Sequence, residues 1–188
     1  MSLIEEAKIS LKKLEGKSKF EKMVQTAAIL TQVFEQEELK PIIVGGLAVE
    51  IYTRSEYTTL DIDLVFSQRQ LADEYLEQLG FIAEGRHWYH EQLMISVEIP
   101  DDMLEGADYN RVIKLNLSES EHVYVIGIED IILDRLRACV HWKSSSDCEW
   151  GKRLFLLHQE KLDLNYLCTT SQKDNTYQKL QLWLDDSV

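Results

Sequence analysis

The spacing of apolar residues changes twice along the chain, and each change marks a different kind of element. Phe20, Met23, Val24, Ala27, Ile29, Leu30 and Val33 recur at three- and four-residue intervals, which is the signature of one face of an amphipathic helix. After Pro41 the intervals shorten. PIIVGG is a brief apolar strand broken by glycines, LAVEIYTR can then start a helix, and TLDIDLVF alternates in period two, as a strand does. SQRQLADEYLEQLG reads as a helix with Ser67 as its N-cap and Gly80 just past its end, because serine oxygens cap orphan N–H groups and glycine tolerates the left-handed turn that stops a helix. FIAEGRHWYH and LMISVEIP read as two further strands, and RVIKLNL and HVYVIGI as a pair joined by SESE. Beyond Gly127 the helical period returns, with Ile128, Ile131, Ile132, Leu136 and Val140 on one face and DCEWGKRLFLLHQ and YQKLQLWL continuing it.

These elements predict an α+β fold, a mixed twisted β-sheet flanked by helices with a C-terminal helical cap. The expected divisions are an N-terminal helical segment packed on the core (1–37), an α/β core (38–127) and the cap (128–188). A cap of two or three helices can cover the open edge of the sheet and wall a cleft, where ligand sites tend to form. Trp142, at the end of the first cap helix beside His141, is expected to be buried there rather than exposed for stacking on a base.

Composition narrows the setting. The 188 residues are 45% apolar, enough for a core without staples. No apolar run approaches the roughly 18 residues of a membrane span, and no signal peptide is evident, so a soluble cytoplasmic protein is expected. Cys139, Cys148 and Cys168 are odd in number and form no CxxC pair, which predicts reduced thiols rather than a disulfide framework or a zinc knuckle. The net charge is −13, and residues 38–127 hold 17 acidic against 6 basic side chains. Such a surface repels polyphosphates unless cations intervene, so no direct DNA binding is expected. Metal-dependent phosphate chemistry remains compatible.

Two acids in that segment need explaining. Asp61 and Asp63 are two residues apart in an alternating strand, so their carboxylates share a face and each raises the other's pKa unless a cation lies between them. Magnesium, with its preference for hard oxygen ligands and nucleotide phosphates, is the ordinary solution. Gly45 and Gly46 end the preceding strand, where backbone N–H groups and a helix N-terminus can meet an anion. Glu98 sits between Val97 and Ile99 in a later strand, and an acid flanked in this way is a third candidate ligand.

In this combination the chain resembles the nucleotidyltransferase superfamily, the polymerase-β-like enzymes. Their motif is a glycine pair after a hydrophobic residue, a helix, an acidic-hydrophobic-acidic-hydrophobic strand and a third strand acid. The matching residues are Val44-Gly45-Gly46, Asp61-Ile62-Asp63-Leu64 and Glu98. TTLDIDLVF looks most like the minimal nucleotidyltransferases and the toxin-type proteins of AbiEii kind, and DRLRACVHWKSSSDCEWGKRLFLL is similar to their later helices, with Arg135, Lys143 and Asp147 in comparable places. Leu47 and Ala48 stand where many relatives have a phosphate-touching serine.

The resemblance implies transfer of a nucleoside monophosphate from an NTP to a hydroxyl of a small molecule, a protein or an RNA end. Asp61, Asp63 and Glu98 would be the catalytic metal ligands for Mg2+, with Gly45, Gly46, Arg54, Arg135 and Lys143 binding the nucleotide. Arg54 before a polar loop also reads as a solvated residue, and Arg135 beside Asp134 as half of an ion pair. Two other readings stay open: a catalytically silent member that binds a nucleotide or a partner protein, as in a toxin–antitoxin pair, and an α+β domain with an accidental DxD.

Overall fold

The computed structural model describes residues 2–186. Among them, eight helices and seven strands divide into two compact units, residues 1–126 and 127–188. The first unit contains both N-terminal helices and the entire sheet.

Helices α1 (Leu3–Lys12) and α2 (Lys19–Glu35) each begin with a capping box, Ser2 with Glu5 and Ser18 with Glu21. Each serine oxygen accepts an N3 N–H while the glutamate reaches back to the cap N–H, so two orphan donors are satisfied at once. The buried face of α2 includes Met23, Ala27, Leu30 and Phe34 and packs on the sheet. Burial of each large side chain, Met23, Leu30 and Phe34, stabilises the fold by roughly 1.5–3 kcal/mol.

The remaining elements of this unit are β1 (Ile42–Ile43), α3 (Gly45–Tyr52), β2 (Asp61–Val65), α4 (Arg69–Gln78), β3 (Ile82–Glu84), β4 (His87–His90), β5 (Ile95–Glu98), β6 (Ile113–Asn116) and β7 (His122–Val125). They build one sheet in the order β3-β4-β5-β2-β1-β7-β6. The β2/β5 and β1/β7 pairs are parallel and the others antiparallel, which makes the sheet mixed. Ile62, Leu64 and Val97 are fully buried on one side of its centre.

Several local expectations change. Helix α3 starts on Gly45 rather than after the glycines. Ser67 does not cap α4: Gln68 occupies the cap position in a left-handed conformation (φ 77°) and makes no side-chain cap bond. Gly80 does close that helix (φ +95°), with its N–H donating to Glu77 O and the Phe81 N–H donating to Leu76 O, the paired bonds of a Schellman turn. FIAEGRHWYH is a hairpin rather than one strand, because Gly85 (φ +66°) reverses the chain between β3 and β4. Among the described residues, no helix is long and apolar enough to cross a membrane.

The second unit consists of α5 (Ile128–His141), α6 (Ser145–His158), α7 (Leu164–Lys173) and α8 (Tyr177–Asp185), one helix more than the apolar pattern suggested. Helices α5 and α6 form an antiparallel hairpin. Gly151 permits close packing, since a Cβ there would lie 2.7 Å from the Trp183 ring and 3.1 Å from Arg135 Cβ. Cys139 and Cys148 form a disulfide across this hairpin, with only Cys168 left as a thiol. The expectation of three reduced thiols was wrong because it relied on sequence spacing, whereas the hairpin brings the two Cα atoms to 4.6 Å. Trp142 is 75% exposed instead of buried, because it follows the last turn of α5, outside the helix's apolar face.

Candidate active site

The register of three strands assembles the site. In the parallel β2/β5 pair Asp63 lies opposite Glu98 and Asp61 opposite Ser96, and in the antiparallel β4/β5 pair His87 lies opposite Glu98. Directly paired residues point to the same face. Asp61, Asp63, Glu98 and His87 therefore share one side of the sheet, while Ile62 and Val97 fill the core on the other. Ligand atoms of Asp61, His87 and Glu98 lie within 4.8 Å of one another. Glu98 is 9% exposed, and Arg86 Nη2 approaches its Oε1 at 2.7 Å while His87 Nδ1 lies 3.7 Å from Oε2.

The glycine pair makes room for these acids. Gly45 has φ +56°, and a Cβ on it would be 2.1 Å from Asp63 Oδ2. A Cβ on Gly46 would be 2.4 Å from Thr59 Oγ1. The Gly46 N–H donates to Asp63 Oδ2 at 3.3 Å, so the first anion met by the N-terminus of α3 is the chain's own carboxylate. Thr59 extends the support by donating through Oγ1 to Asp61 Oδ1 at 3.3 Å, and its N–H donates to Glu50 Oε2 at 3.2 Å. Burial raises the Glu50 pKa above the usual carboxylate range, although the Thr59 N–H and the charge of Lys19 pull it down.

The donor set fits a divalent cation. Two carboxylates and one imidazole converge, one of the carboxylates almost buried and paired with Arg86. Hard oxygen donors with an added nitrogen suit magnesium, manganese and the later divalent ions to different degrees.

Comparison with known proteins supplies a family and a fold. The family described as nucleotidyltransferase of unknown function (DUF6036) matches residues 18–183. The chain belongs to this family. No curated protein matches it significantly. Among solved structures, this nucleotidyltransferase-family chain resembles an antigenic nucleotidyltransferase-like protein from Paracoccidioides brasiliensis, with a TM-score of 0.55 at 16% identity over 84% of this chain and 91% of that one. It also resembles the antibiotic-resistance factor ANT(2'')-Ia in solution, with a TM-score of 0.51 at 14% identity over 80% and 90% of the two chains. At these identities the likeness establishes a shared fold.

The other expected nucleotide-binding residues of this family member have their own surroundings. Arg54 is exposed in the left-handed turn after α3 (φ 54°). In the second unit Arg135 makes ion pairs with Asp134 at 3.1 Å and Asp147 at 2.7 Å, and Lys143 is exposed in the turn between α5 and α6 (φ 54°). Lys152, a further cation of that helical stretch, pairs with Asp186. A cleft of about 650 Å³ in the first unit is lined by Lys40, Ile42, Phe66, Tyr109 and Tyr124 among others, and by none of the expected site residues. Sequence reasoning overlooked His87, Arg86 and Thr59. The signal for His87 was the alternation in RHWYH, which becomes readable only once Gly85 is recognised as a turn and Trp88 and His90 as the buried members.

Proposed function

We propose that this chain transfers a nucleoside monophosphate from a nucleoside triphosphate to a hydroxyl group of an acceptor, with divalent cations held by Asp61, Asp63 and Glu98. The observation that carries this reading is the strand register that gathers the three carboxylates on one face beside the glycine turn. Bound there, the cation would neutralise the triphosphate and help the acceptor hydroxyl lose its proton. Thr59 and the Gly46 N–H orient Asp61 and Asp63 before any ligand arrives, and such preorganisation matters because this chemistry depends on positioning and charge neutralisation. The triphosphate-binding roles of Gly45, Gly46, Arg54, Arg135 and Lys143 belong to the same proposal.

The acidic surface of residues 38–127 favours a neutral or cationic acceptor over a polyanion, and the shared fold with ANT(2'')-Ia, an antibiotic-resistance factor, supports a small molecule. One observation favours the second reading, a silent member that binds a nucleotide or a partner protein: the Arg86 guanidinium on Glu98 supplies a positive charge without any metal.

Isothermal titration with a nonhydrolysable triphosphate, with and without magnesium, tests the site. Incubation of labelled triphosphates with small hydroxyl compounds, RNA and cell extract tests the transfer. Magnesium-dependent binding with label transferred, and transfer lost in Asp61→Ala, is the expected result. Binding with no transfer to any acceptor establishes the silent reading, and equal affinity for nucleoside and triphosphate removes both.

A further inference from the structure

We infer that His87 is a ligand in this metal site and that the site selects Mn2+ over Mg2+, with Arg86 occupying Glu98 in the metal-free protein. The inference rests on the metal-dependent reading above and specifies its ion. Three facts carry it. His87 is paired across the strands with Glu98, so its ring projects from the carboxylate face. Its ligand nitrogen belongs to a cluster with Asp61 and Glu98 whose atoms all lie within 4.8 Å of one another, a separation that small side-chain rotations reduce to ligand–ligand distances around one ion. Asp61 is already oriented by Thr59, the kind of supporting bond that holds a ligand in place.

Imidazole changes the preference of an otherwise oxygen-based site. Magnesium demands near-octahedral oxygen coordination and retains its water, whereas affinity for nitrogen donors rises from Mn2+ along the first transition series. Manganese accepts two carboxylates and one imidazole together.

Arg86 adds a second feature. Its side chain is 74% exposed, yet its Nη2 reaches the nearly buried Glu98. Because Arg86 and His87 are consecutive residues of the β3/β4 hairpin, they approach the same carboxylate. An incoming ion must displace the guanidinium from Glu98, and in doing so it gains the ring.

The full-length protein, stripped of metal and titrated with Mn2+ and Mg2+, provides the test, read by calorimetry and by electron spin-echo modulation of the bound Mn2+. The expected results are tighter binding of Mn2+ than of Mg2+, and a nitrogen modulation from 14N that changes when the protein is labelled with 15N-histidine. His87→Gln should lose the modulation and about tenfold in Mn2+ affinity, with Mg2+ affinity nearly unchanged. Arg86→Ala should bind both ions about two- to fivefold more tightly at low salt, the range expected when an exposed ion pair no longer competes.

Bound Mn2+ without histidine nitrogen coupling overturns the inference and leaves nucleotidyl transfer standing. Equal losses of Mn2+ and Mg2+ affinity in His87→Gln also overturn it, since they indicate a structural role. Binding of neither ion overturns the metal-dependent reading itself. If His87→Gln fails to fold, the isotope comparison on the wild-type protein still decides the question.

Discussion

Glu35 and Glu98 are both carboxylates that end an element of the first unit, and each has a histidine ring beside it, yet their surroundings differ in kind. At the end of α2, Glu35 Oε1 accepts the Tyr124 hydroxyl at 2.7 Å and lies 3.0 Å from His122 Nε2. Burial pushes its pKa up, but those hydrogen bonds and the charges of His122 and Lys114 outweigh burial and hold it below the usual carboxylate range. The chain completes that carboxylate by itself. Glu98 has the Asp61 carboxylate within 4.8 Å and Asp63 in register beside it, with Arg86 paired to its own Oε1. The lesson is that a carboxylate isolated among the chain's own donors can be complete by itself, whereas carboxylates gathered on one face repel one another and would gain from a further cation.

The largest expected effect comes from removing the space that admits Asp63. Gly45→Ala should cost about 2–5 kcal/mol, combining a left-handed backbone penalty with overpacking against the carboxylate. Chemical denaturation measures it. Gly85→Ala is the control: its φ is +66° but nothing lies within 4 Å of its Cβ position, so only the backbone penalty of about 1–2 kcal/mol should appear. Equal losses in the two variants would show that the contact with Asp63 is immaterial.

Glu35→Ala and Glu98→Gln separate the two carboxylates directly. The first removes the acceptor of two donors and should destabilise by about 1–3 kcal/mol without altering divalent-cation binding. The second loses a pair to an exposed arginine, about 1 kcal/mol or less, but should abolish the rise in melting temperature expected of the wild type with Mg2+ or Mn2+. A reversal of these patterns would mean that the assignments of structure and site are exchanged.

The Glu35 cluster also predicts a pH signature. Tyr124 is pushed up to about 12 by burial, by its hydrogen bond to Glu35 and by that carboxylate's charge. A raised folded pKa contributes stability that is complete below the unfolded value of roughly 10 and is lost as pH climbs through the folded one. Glu35, with a lowered pKa, contributes above the unfolded value of about 4.3 and loses that contribution as pH falls through its folded value. Phenolate absorbance should therefore show one tyrosine titrating near 12 in the wild type and at lower pH in Glu35→Ala. An unchanged titration would remove Glu35 as the cause.

Asp63→Asn should have the smallest effect. The amide oxygen can still accept the Gly46 N–H, and relief of repulsion from Glu98 and Asp61 offsets the weaker bond, so apo stability should stay within about 0.5 kcal/mol. Thermal melts check this. A larger loss would place Asp63 with Glu35 as a structural acceptor.

Much of this molecule was legible in its sequence because period and chirality are local. The alternation of TLDIDLVF set Asp61 and Asp63 on one face, the three- and four-residue spacing of Met23 to Val33 marked α2, and Gly80 marked the end of α4. Sequence also presented the glycine pair, the DxD and the strand acid on which the resemblance to nucleotidyltransferases rested. Hairpins proved harder. FIAEGRHWYH hid a reversal because one glycine at φ +66° changes direction without interrupting the alternation on either side.

What only tertiary structure decided is which distant residues become neighbours. Parallel pairing of β2 with β5 joins strands far apart in the chain and places Glu98 opposite Asp63. A register shifted by one residue would have turned Glu98 into the core. Antiparallel pairing of β4 with β5 brought His87 and its neighbour Arg86 to Glu98, and the α5/α6 hairpin joined Cys139 to Cys148. The sequence by itself determined which residues could share a face, because side-chain direction follows from the backbone period. It did not determine which faces meet, because strand pairing and helix packing depend on burial and hydrogen bonding summed over the whole fold.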